Sequence, residues 1–541
     1  MDVTNNEQYH WHALPTEQHF RHILLLPALD EDTPIECQMK TIPFAEPTTL
    51  MEGHSEPLNP QYEALSYTWG DALLVHRIQC DGKALEVRNN LFMALRRLRQ
   101  PNTTRRLWID AVCIDQGNED ERNNQVAQMA KIYRGATQVV IWTGEDSTSQ
   151  DGFLTMSFIQ QAARIYENGQ LRSKIESLIK ELDLLCRQVF GTSPERYDGR
   201  PKGSEFLTWF PDDPAEPEQL QTFLSRPWFS RRWVIQEMFN ARKGILMCGK
   251  HVADWDTFSA YLCDFFQIRI WQDVKNRRQS EAISNAWQLL LLRQMREHRR
   301  GLSFLNLMEM FHDFGCTDER DRIWALLSVS LHETSTSDEL LPDYRLNVEE
   351  TFLAFAKHMV TIGKVNWLLD SASKRHEGSE QWRRNFLLPS WVPDWRFSTR
   401  IDRAGNDHSF DNEKFSHSND AKFYAEDGDT ILIRNGWLVD SIKSVSFRNG
   451  LFCEGLDRIE TKLGILGEAP RNVEIMEEDV VCFFEGCDLP FLLRESQRQP
   501  DRFVLISNCD LDSTASRELY RIPVNVGKES ATQGQRLLHI L

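Results

Sequence analysis

The 541-residue sequence lacks the features of a secreted or membrane-spanning chain. It has no run of about 18 apolar residues, which a membrane-spanning helix requires. Its N-terminus has no basic start followed by a long apolar core, as a secretory signal would have. Its 11 cysteines form no CxxC pair, so neither a disulfide framework nor a zinc ribbon is predicted. We therefore expect a cytoplasmic protein with no membrane span.

Several signatures of nucleotide and hydrolase sites are also absent. The sequence has no GxxxxGK[ST] loop and no GxGxxG after a strand, so it does not favour an ATPase or a classical dehydrogenase. It has no GxSxG elbow, so serine-hydrolase chemistry lacks support. His10 and His12 lie close together, but no cysteine cluster accompanies them. We predict no metal site and no bound cofactor.

The charge balance argues against a nucleic-acid partner. The formal net charge is −18 at pH 7 and the sequence pI is about 5.4. A field of this sign repels polyphosphate backbones. Hydrophobic residues make up 41% of the chain, which is enough for buried cores, and the length corresponds to about 3.6 domains. We expect a globular, multidomain protein.

Strand and helix patterns alternate after residue 61. Apolar strand patterns occur at 62–67, 107–114 and 138–143, and helical spacing occurs around 91–98 and 124–134. A hairpin is predicted around Asp81-Gly82, and Asn89 or Asn90 is expected to cap the helix after it. Apolar strands that alternate with helices favour a parallel sheet covered on both faces. The predicted fold class is therefore α/β.

Composition shifts divide the chain into five predicted parts. Residues 149–217 interrupt the alternation with helical and then Pro-, Gly- and Asp-rich sequence, which indicates an insertion. A polar stretch without periodicity predicts a linker or loop. The parts are an N-terminal segment (1–58), an α/β domain (59–250, with the helical insertion at 149–217), a mainly helical region (251–397), a linker or loop (398–429) and a small β-rich unit (430–541).

Polar side chains gather after the three predicted strands. Ligands of open parallel sheets bind beyond the carboxyl ends of the strands. Taken one at a time, the loops are interpreted as ordinary turns, with Trp69 packed in the core beside them. Taken together, the three loops favour a pocket. The residues concerned are Ser66, Thr68, Trp69, Gly70 and Asp71 after the first strand, Asp110, Asp115 and Gln116 at the second, and Gly144, Glu145 and Asp146 after the third.

A second group of candidates lies at 226–237. The four-residue spacing places Trp233 and Glu237 on one side of a helix, where an indole could stack on a flat group beside an acid. The alternative is an amphipathic helix with Trp233 in the core and Glu237 in solvent. Arg226, Arg231 and Arg232 could bind phosphate, although such arginines more often neutralise nearby carboxylates.

Three separated blocks resemble one known family. YEALSYTWGD at 62–71, the segment from LWIDAVCIDQ to IWTG at 107–144, and RPWFSRRWVIQE at 226–237 resemble the three blocks of the heterokaryon-incompatibility (HET) domain of filamentous fungi. CTDERDRIWALLSVS, LLPDYRLNVEETFLAFA and LPSWVPDW resemble the region C-terminal to that domain in proteins of the heterokaryon-incompatibility 6 type. The resemblance covers most of residues 60–396.

The resemblance implies a fold and a site. HET domains are regarded as distantly similar to Toll/interleukin-1 receptor (TIR) domains, which implies a flavodoxin-like parallel sheet. TIR domains that hydrolyse NAD carry their catalytic glutamate in a WxxxE arrangement, which the Trp233 to Glu237 run resembles. The resemblance therefore implies Glu237 as the catalytic residue. The implied substrate-binding residues are Ser66, Trp69, Asp71, Asp110, Asp115, Gln116 and Trp233.

The sequence and its resemblance support three hypotheses for function. The first is a cytoplasmic effector of incompatibility and programmed cell death that recognises non-self after cell fusion. It would signal after self-association, with cleavage of NAD as its chemistry. The second is a non-catalytic module that self-associates and binds a protein partner. The third is an enzyme of small-molecule biosynthesis that uses the acidic sheet edge for acid/base chemistry.

Overall fold

The computed structural model divides the chain into two compact units, Met1–Val189 with Ser193–Arg345, and Phe190–Thr192 with Leu346–Leu541. The residues that it describes are 7–44, 61–147, 150–166, 216–262, 281–297, 304–330, 340–373, 388–396, 424–426, 430–446, 456–461, 466–470, 476, 479–484, 491–496, 502–508, 510–511 and 535–540. Within these ranges no helix is both long and apolar enough to cross a bilayer.

The first unit is built on a nine-stranded mixed sheet with the order β5-β4-β2-β1-β6-β3-β7-β8-β9. Its four central strands, β6, β3, β7 and β8, are parallel to their neighbours within that group. The strands are β1 His19–Leu25, β2 Glu36–Pro43, β3 Glu63–Tyr67, β4 Val75–Cys80, β5 Lys83–Arg88, β6 Arg105–Trp108, β7 Val139–Trp142, β8 Gly244–Cys248 and β9 His251–Asp254. The predicted α/β class is confirmed.

Helices follow or separate these strands. Residues 255–262 are also helical, and Pro227–Ser230 form a single 3₁₀ turn. The predicted insertion contributes the fourth helix, whereas its residues 167–215 lie outside the described part of the chain. The helices are α1 Asn89–Leu98, α2 Asp110–Cys113, α3 Glu119–Gly135, α4 Asp151–Tyr166, α5 Glu216–Leu224, α6 Val234–Asn240, α7 Glu281–Glu297, α8 Phe304–Met310 and α9 Asp321–Leu327.

The sheet begins earlier than the predicted boundary at residue 59. Strands β1 and β2 pair with each other, and β1 also pairs with β6, with Ile23 opposite Leu107. The apolar alternation of β1 is concealed because Arg21 and His22 are buried in it. Arg21 donates hydrogen bonds to the Glu121 carboxylate and to the Cys113 carbonyl, which compensates its burial. The first unit likewise extends past the predicted boundary at 250, to Arg345.

Two local predictions differ from the structure. The predicted strand 107–114 ends at Trp108, because the chain turns at Ile109 into α2 and the Asp110 carboxylate accepts the Ala111 N–H. Helix α1 has no side-chain cap, since Arg88 occupies the N-cap position. Asn90 instead donates to the Thr68 carbonyl and accepts the Trp142 indole N–H, so it links the loop after β3 to the end of β7.

The predicted hairpin around Asp81-Gly82 is confirmed. Strands β4 and β5 are antiparallel, with Ile78 opposite Leu85 and Cys80 opposite Lys83. Asp81 and Gly82 have φ angles of 51° and 75°, the left-handed pair that a tight hairpin turn requires.

Substitution of Gly82 tests this turn. Gly82→Ala is expected to lower the free energy of unfolding by about 1 kcal/mol, because a Cβ disfavours the positive φ although it meets no atom within 4 Å. Urea denaturation measures the change. Gly117→Ala is the control, because that glycine has no positive φ and its loop tolerates a Cβ. Equal losses in both variants would contradict the conformational argument.

In its described residues, the second unit has two helices and a second nine-stranded sheet. Asn347 and Glu350 form a capping box at the start of its first helix. The predicted strands near 430, 480 and 503 are confirmed, and the predicted linker 398–429 is described only at Tyr424–Glu426. The elements are α10 Val348–Thr361, α11 Val365–Ser373, β10 Tyr424–Glu426, β11 Thr430–Ser446, β12 Leu456–Thr461, β13 Leu466–Pro470, β14 Val480–Phe484, β15 Phe491–Glu495, β16 Arg502–Asn508, β17 Asp510–Leu511 and β18 Gln535–Ile540.

Candidate functional site

The candidate site lies at the carboxyl ends of β3 and β6. Ser66 is buried in β3 immediately before its last residue, Tyr67, and Asp110 follows β6 by two residues. The two strands are parallel neighbours, so their carboxyl ends meet at one edge of the sheet. Helix α6 brings Glu237 to the same edge. Residues from all three separated sequence blocks therefore converge.

Glu237 is the centre of a buried hydrogen-bond network. Its side chain is buried, with 1% of its surface exposed. Ser66 Oγ donates to its Oε2, and Trp228 Nε1 donates to Ser66 Oγ over 2.8 Å. Arg231 Nη1 donates to its Oε1 over 2.7 Å. Both carboxylate oxygens thus have a donor, as a buried acid requires.

Asp110 lies on the other side of Arg231 from Glu237 in the hydrogen-bond network, and its side chain is more exposed than that of Glu237. Trp69 Nε1 donates to its Oδ2 over 2.8 Å, and Arg231 Nη2 lies 3.6 Å from the same oxygen. Arg88 lies over the Trp69 ring, 5.1 Å from the centroid, in a cation–π contact. The Arg231 side chain is 17% exposed, so this guanidinium bridges the buried Glu237 and the more accessible Asp110. We call Ser66, Trp69, Asp110, Trp228, Arg231 and Glu237 the edge network.

Burial and charge act against each other in the edge network. Burial raises the pKa of Glu237 and outweighs Arg231 and Ser66, which both favour the carboxylate, while Asp110 raises the pKa further. Burial alone would lower the pKa of Arg231, but the carboxylates of Glu237 and Asp110 outweigh it and raise the pKa. A guanidinium shared by two acids is therefore the charge that makes the buried glutamate tolerable.

Two buried tyrosines complete the surroundings. Tyr133 donates its hydroxyl to the Leu65 carbonyl over 3.1 Å. Burial raises the pKa of both Tyr67 and Tyr133, and the neighbouring acids raise it further. Both remain neutral phenols at physiological pH, so neither can serve as a base there.

The structure brings together four of the predicted side chains. Ser66, Trp69, Asp110 and Glu237 all belong to the edge network. Gln116 touches it as well, because its Nε2 donates to the Asp110 carbonyl over 3.0 Å.

Three predicted side chains lie apart from the edge network. Asp71 is exposed and accepts the Leu73 N–H, and Asp115 accepts the Gly117 N–H, so both stabilise turns. Trp233 and Glu237 are one helical turn apart, since the Glu237 N–H donates to the Trp233 carbonyl over 3.2 Å. The Trp233 indole, however, donates to Asp321 over 2.8 Å. Trp233 and Glu237 are therefore joined by a backbone hydrogen bond, as their spacing predicts, but the Trp233 indole pairs with Asp321 and not with the Glu237 carboxylate.

The loop after β7 forms its own cluster. Arg226 binds both oxygens of Asp151, at 2.9 and 3.0 Å, and donates to the carbonyls of Thr143 and Glu145. Gly144, at φ 106°, makes this close approach possible. This arginine neutralises a carboxylate, which is the more ordinary of its two predicted roles.

Sequence reasoning missed Trp228 as a functional candidate and did not assign Arg231 to the two acids of the edge network. No spacing or motif marks Trp228, and the sequence assigns Arg231 only to phosphate binding or general neutralisation. The signal available was the density of arginine and tryptophan in RPWFSRRW, which is unusual for a solvated helix start. In the part of the chain that the structure describes, no group of three or more His, Cys, Asp or Glu is placed to hold a metal ion.

Comparisons with known proteins agree with the three sequence blocks. Residues 62–237 match the family described as heterokaryon incompatibility protein (HET), and this range contains the whole edge network. The chain is 26% identical over 423 residues to heterokaryon incompatibility protein 6, OR allele, of Neurospora crassa. The match covers 70% of this chain and 58% of that relative, so it spans less than two thirds of the relative's length. No solved structure matches the chain. Residues 62–237 are therefore similar to a HET domain.

Proposed function

We propose that this chain is a fungal incompatibility effector whose HET domain hydrolyses NAD and so triggers cell death after cells of unlike type fuse. The similarity to heterokaryon incompatibility protein 6 supports the incompatibility role. The observation that carries the chemical part is the convergence of Ser66, Asp110 and Glu237 around one arginine at the sheet edge. We propose that the protein acts in the cytoplasm after self-association, with a protein partner.

The strand order supports a TIR-like, flavodoxin-like fold for this domain. The four parallel strands follow one another along the chain as β3, β6, β7 and β8. Across the sheet their order is β6-β3-β7-β8, so the second strand of the group lies outside the first. This is the order of flavodoxin-like sheets, whose ligands bind at the switch point between the first and third strands of the group, here β3 and β7. Ser66, on β3, borders that switch point.

The proposed reaction breaks the bond between C1′ of ribose and N1 of nicotinamide. The bonding electron pair goes to N1, giving neutral nicotinamide. Water adds to C1′, and its proton passes to solvent. A carboxylate stabilises the positive charge that develops on the ribose ring. Glu237 can do this once Arg231 leaves its Oε1 and pairs with Asp110 or with a substrate phosphate.

Nicotinamide release tests the enzymatic proposal. Purified protein, both dispersed and assembled, is incubated with NAD, and nicotinamide is followed by chromatography. Glu237→Gln is expected to lower the rate by at least about a hundredfold, as loss of a charge-stabilising group does. Glu145→Gln is the matched control, because Glu145 is also paired with an arginine but lies outside the edge network. Absence of turnover in every assembled state would reject the enzymatic proposal.

One observation favours a non-catalytic alternative. Glu237 is fully buried, and both of its carboxylate oxygens already accept hydrogen bonds. An acid held in this way can fix the sheet edge of a module that self-associates and binds a protein partner. In that case Glu237→Gln retains killing activity in fungal cells, provided that the variant folds and associates. A folded, associating Glu237→Gln protein that no longer kills would count against this alternative.

A further inference from the structure

The segment that carries Glu237 is held from outside the residues matched by the HET family. The Arg232 N–H donates to the Gly315 carbonyl, and the Gly315 N–H donates to the Ser230 carbonyl, each over 2.8 Å. The buried Arg232 guanidinium donates to the carbonyls of Phe311 and Arg322, both over 2.9 Å. Residues 311–322 therefore fix the backbone immediately before α6.

Asp321 is the side chain by which this region contacts the turn from Trp233 to Glu237. It is nearly buried, and it accepts the Trp233 indole N–H over 2.8 Å and the Tyr344 hydroxyl over 2.6 Å. Tyr344 is itself clamped, because Arg122 and Arg320 lie over its ring at 4.5 and 5.1 Å from the centroid. The carboxylate of Asp321 thus joins Trp233 to a tyrosine that cannot easily move.

We propose that Asp321 is a positioning residue for the edge network: it holds Trp233 and thereby sets where α6 begins and where the Glu237 carboxylate lies. Trp233 occupies the N-cap position of α6, and its carbonyl accepts the Glu237 N–H. A shift of the indole therefore moves the turn that ends at Glu237. The consequence for catalysis rests on the proposed function, whereas the consequence for geometry does not.

A purely local role for Asp321 makes a different prediction. Asp321 is also the first residue of α9, where an acid is favourable for any helix. If that were its whole contribution, its replacement would affect α9 and the Trp233 indole but nothing at the sheet edge. The two roles are separated by observing the edge network directly.

Three indole N–H groups report on the relevant hydrogen bonds. Trp233 donates to Asp321, Trp228 to Ser66, and Trp69 to Asp110. Selective ¹⁵N-tryptophan labelling of the full chain gives one indole cross-peak for each, which Trp→Phe variants assign. Because the shift of an indole N–H depends on its acceptor, the Trp228 and Trp69 peaks monitor the edge network without any substrate.

Asp321→Asn is expected to move the Trp228 and Trp69 peaks as well as the Trp233 peak. Trp233→Phe removes the same hydrogen bond from the other side and is expected to move the Trp228 and Trp69 peaks in the same direction, which keeps the test informative if one variant fails to fold. Glu319→Gln is the matched control, because Glu319 lies two residues away and is paired with Arg322, which is not one of the two arginines over Tyr344. It is expected to leave the Trp228 and Trp69 peaks in place.

The outcomes distinguish this proposal from the proposed function. Glu237→Gln must move the Trp228 peak, since it alters the partner of Ser66. If neither Asp321→Asn nor Trp233→Phe then moves that peak, the positioning role is overturned, whatever the turnover. If the peaks move but no variant or wild-type assembly releases nicotinamide, only the enzymatic proposal fails. Where turnover is found, Asp321→Asn should lower kcat on the order of tenfold to a hundredfold with a smaller change in KM.

Discussion

Replacement of Arg231 by methionine is expected to lower the free energy of unfolding by about 3–5 kcal/mol, because it leaves two acids without their shared cation. Glu237 is fully buried and Asp110 nearly so, and in the wild type both face the Arg231 guanidinium. Without it, burial forces protonation of one acid or opens the sheet edge to water. Urea denaturation followed by tryptophan fluorescence measures the loss.

Two further variants show whether charge is the cause. Arg231→Met combined with Glu237→Gln is expected to recover part of the stability, because the buried anion is removed together with its partner. Arg97→Met is the control, since Arg97 and Glu145 pair with side chains 29% and 30% exposed. Removal of that pair should cost under about 1 kcal/mol. If Arg231→Met cost no more than Arg97→Met, the edge network would not depend on its arginine.

The second large effect concerns the pH dependence of stability at Asp321. Burial raises the pKa of Asp321 from its ordinary 3.8 to about 6, although Tyr344 and Trp233 donate to the carboxylate and oppose the change. The folded protein therefore binds this proton more tightly than the unfolded chain. The stabilisation is complete below pH 3.8 and is lost as the pH rises through about 6. Its full size is about 3 kcal/mol.

Other groups that titrate nearby determine how this effect must be measured. Burial lowers the pKa of His22 to about 4, with help from Arg106 and Lys40, so the contribution of His22 is lost as the pH falls from 6.5 to 4. As the pH rises from 4 to 6.5, His22 therefore stabilises the fold while Asp321 destabilises it. The charged and titratable groups that face Asp321 itself are Asp318, Tyr344, Arg231, Arg232, Arg320 and Cys316.

The difference between wild type and Asp321→Asn isolates the carboxyl group. Relative to the variant, the wild type is expected to lose about 2 kcal/mol between about pH 4.5 and 7.5. Asp151→Asn should give a flat difference over this range. Burial raises the pKa of Asp151, but hydrogen bonds from Arg226 and Ser147 outweigh it and hold that pKa below its ordinary value. If the stability of the wild type relative to Asp321→Asn increased with pH instead, the hydrogen bonds from Tyr344 and Trp233 would outweigh burial and lower the pKa of Asp321.

Much of the central sheet could be predicted because each parallel strand carries its own apolar run. Strand β7 is buried at all four positions, and its sequence VVIW shows this directly. Strand β1 could not be found in the same way, because two of its buried residues are Arg21 and His22. The burial of Arg21 is compensated by Glu121, 100 residues later in the chain. No local pattern contains such a partner.

The candidate site shows the same division. Loops that follow parallel strands must meet at one sheet edge, so Ser66, Trp69 and Asp110 could be predicted as neighbours from strand order alone. The direction of the Trp233 indole could not be predicted. The four-residue spacing places the indole beside Glu237, whereas its hydrogen-bond partner, Asp321, comes from another part of the chain. The role of Arg231 was also hidden, since its two carboxylates come from separate elements.

By itself, the sequence determined the α/β class, the turn at Asp81-Gly82, the blocks within 62–237 that match the HET family and the meeting of the first two blocks at one edge. These properties depend on local periodicity, backbone conformation and chain order. The tertiary structure alone decided which donor satisfies each buried acid: Arg231 and Ser66 for Glu237, and Trp233 and Tyr344 for Asp321. Burial makes every such partner obligatory, but distance along the chain does not limit where the partner comes from.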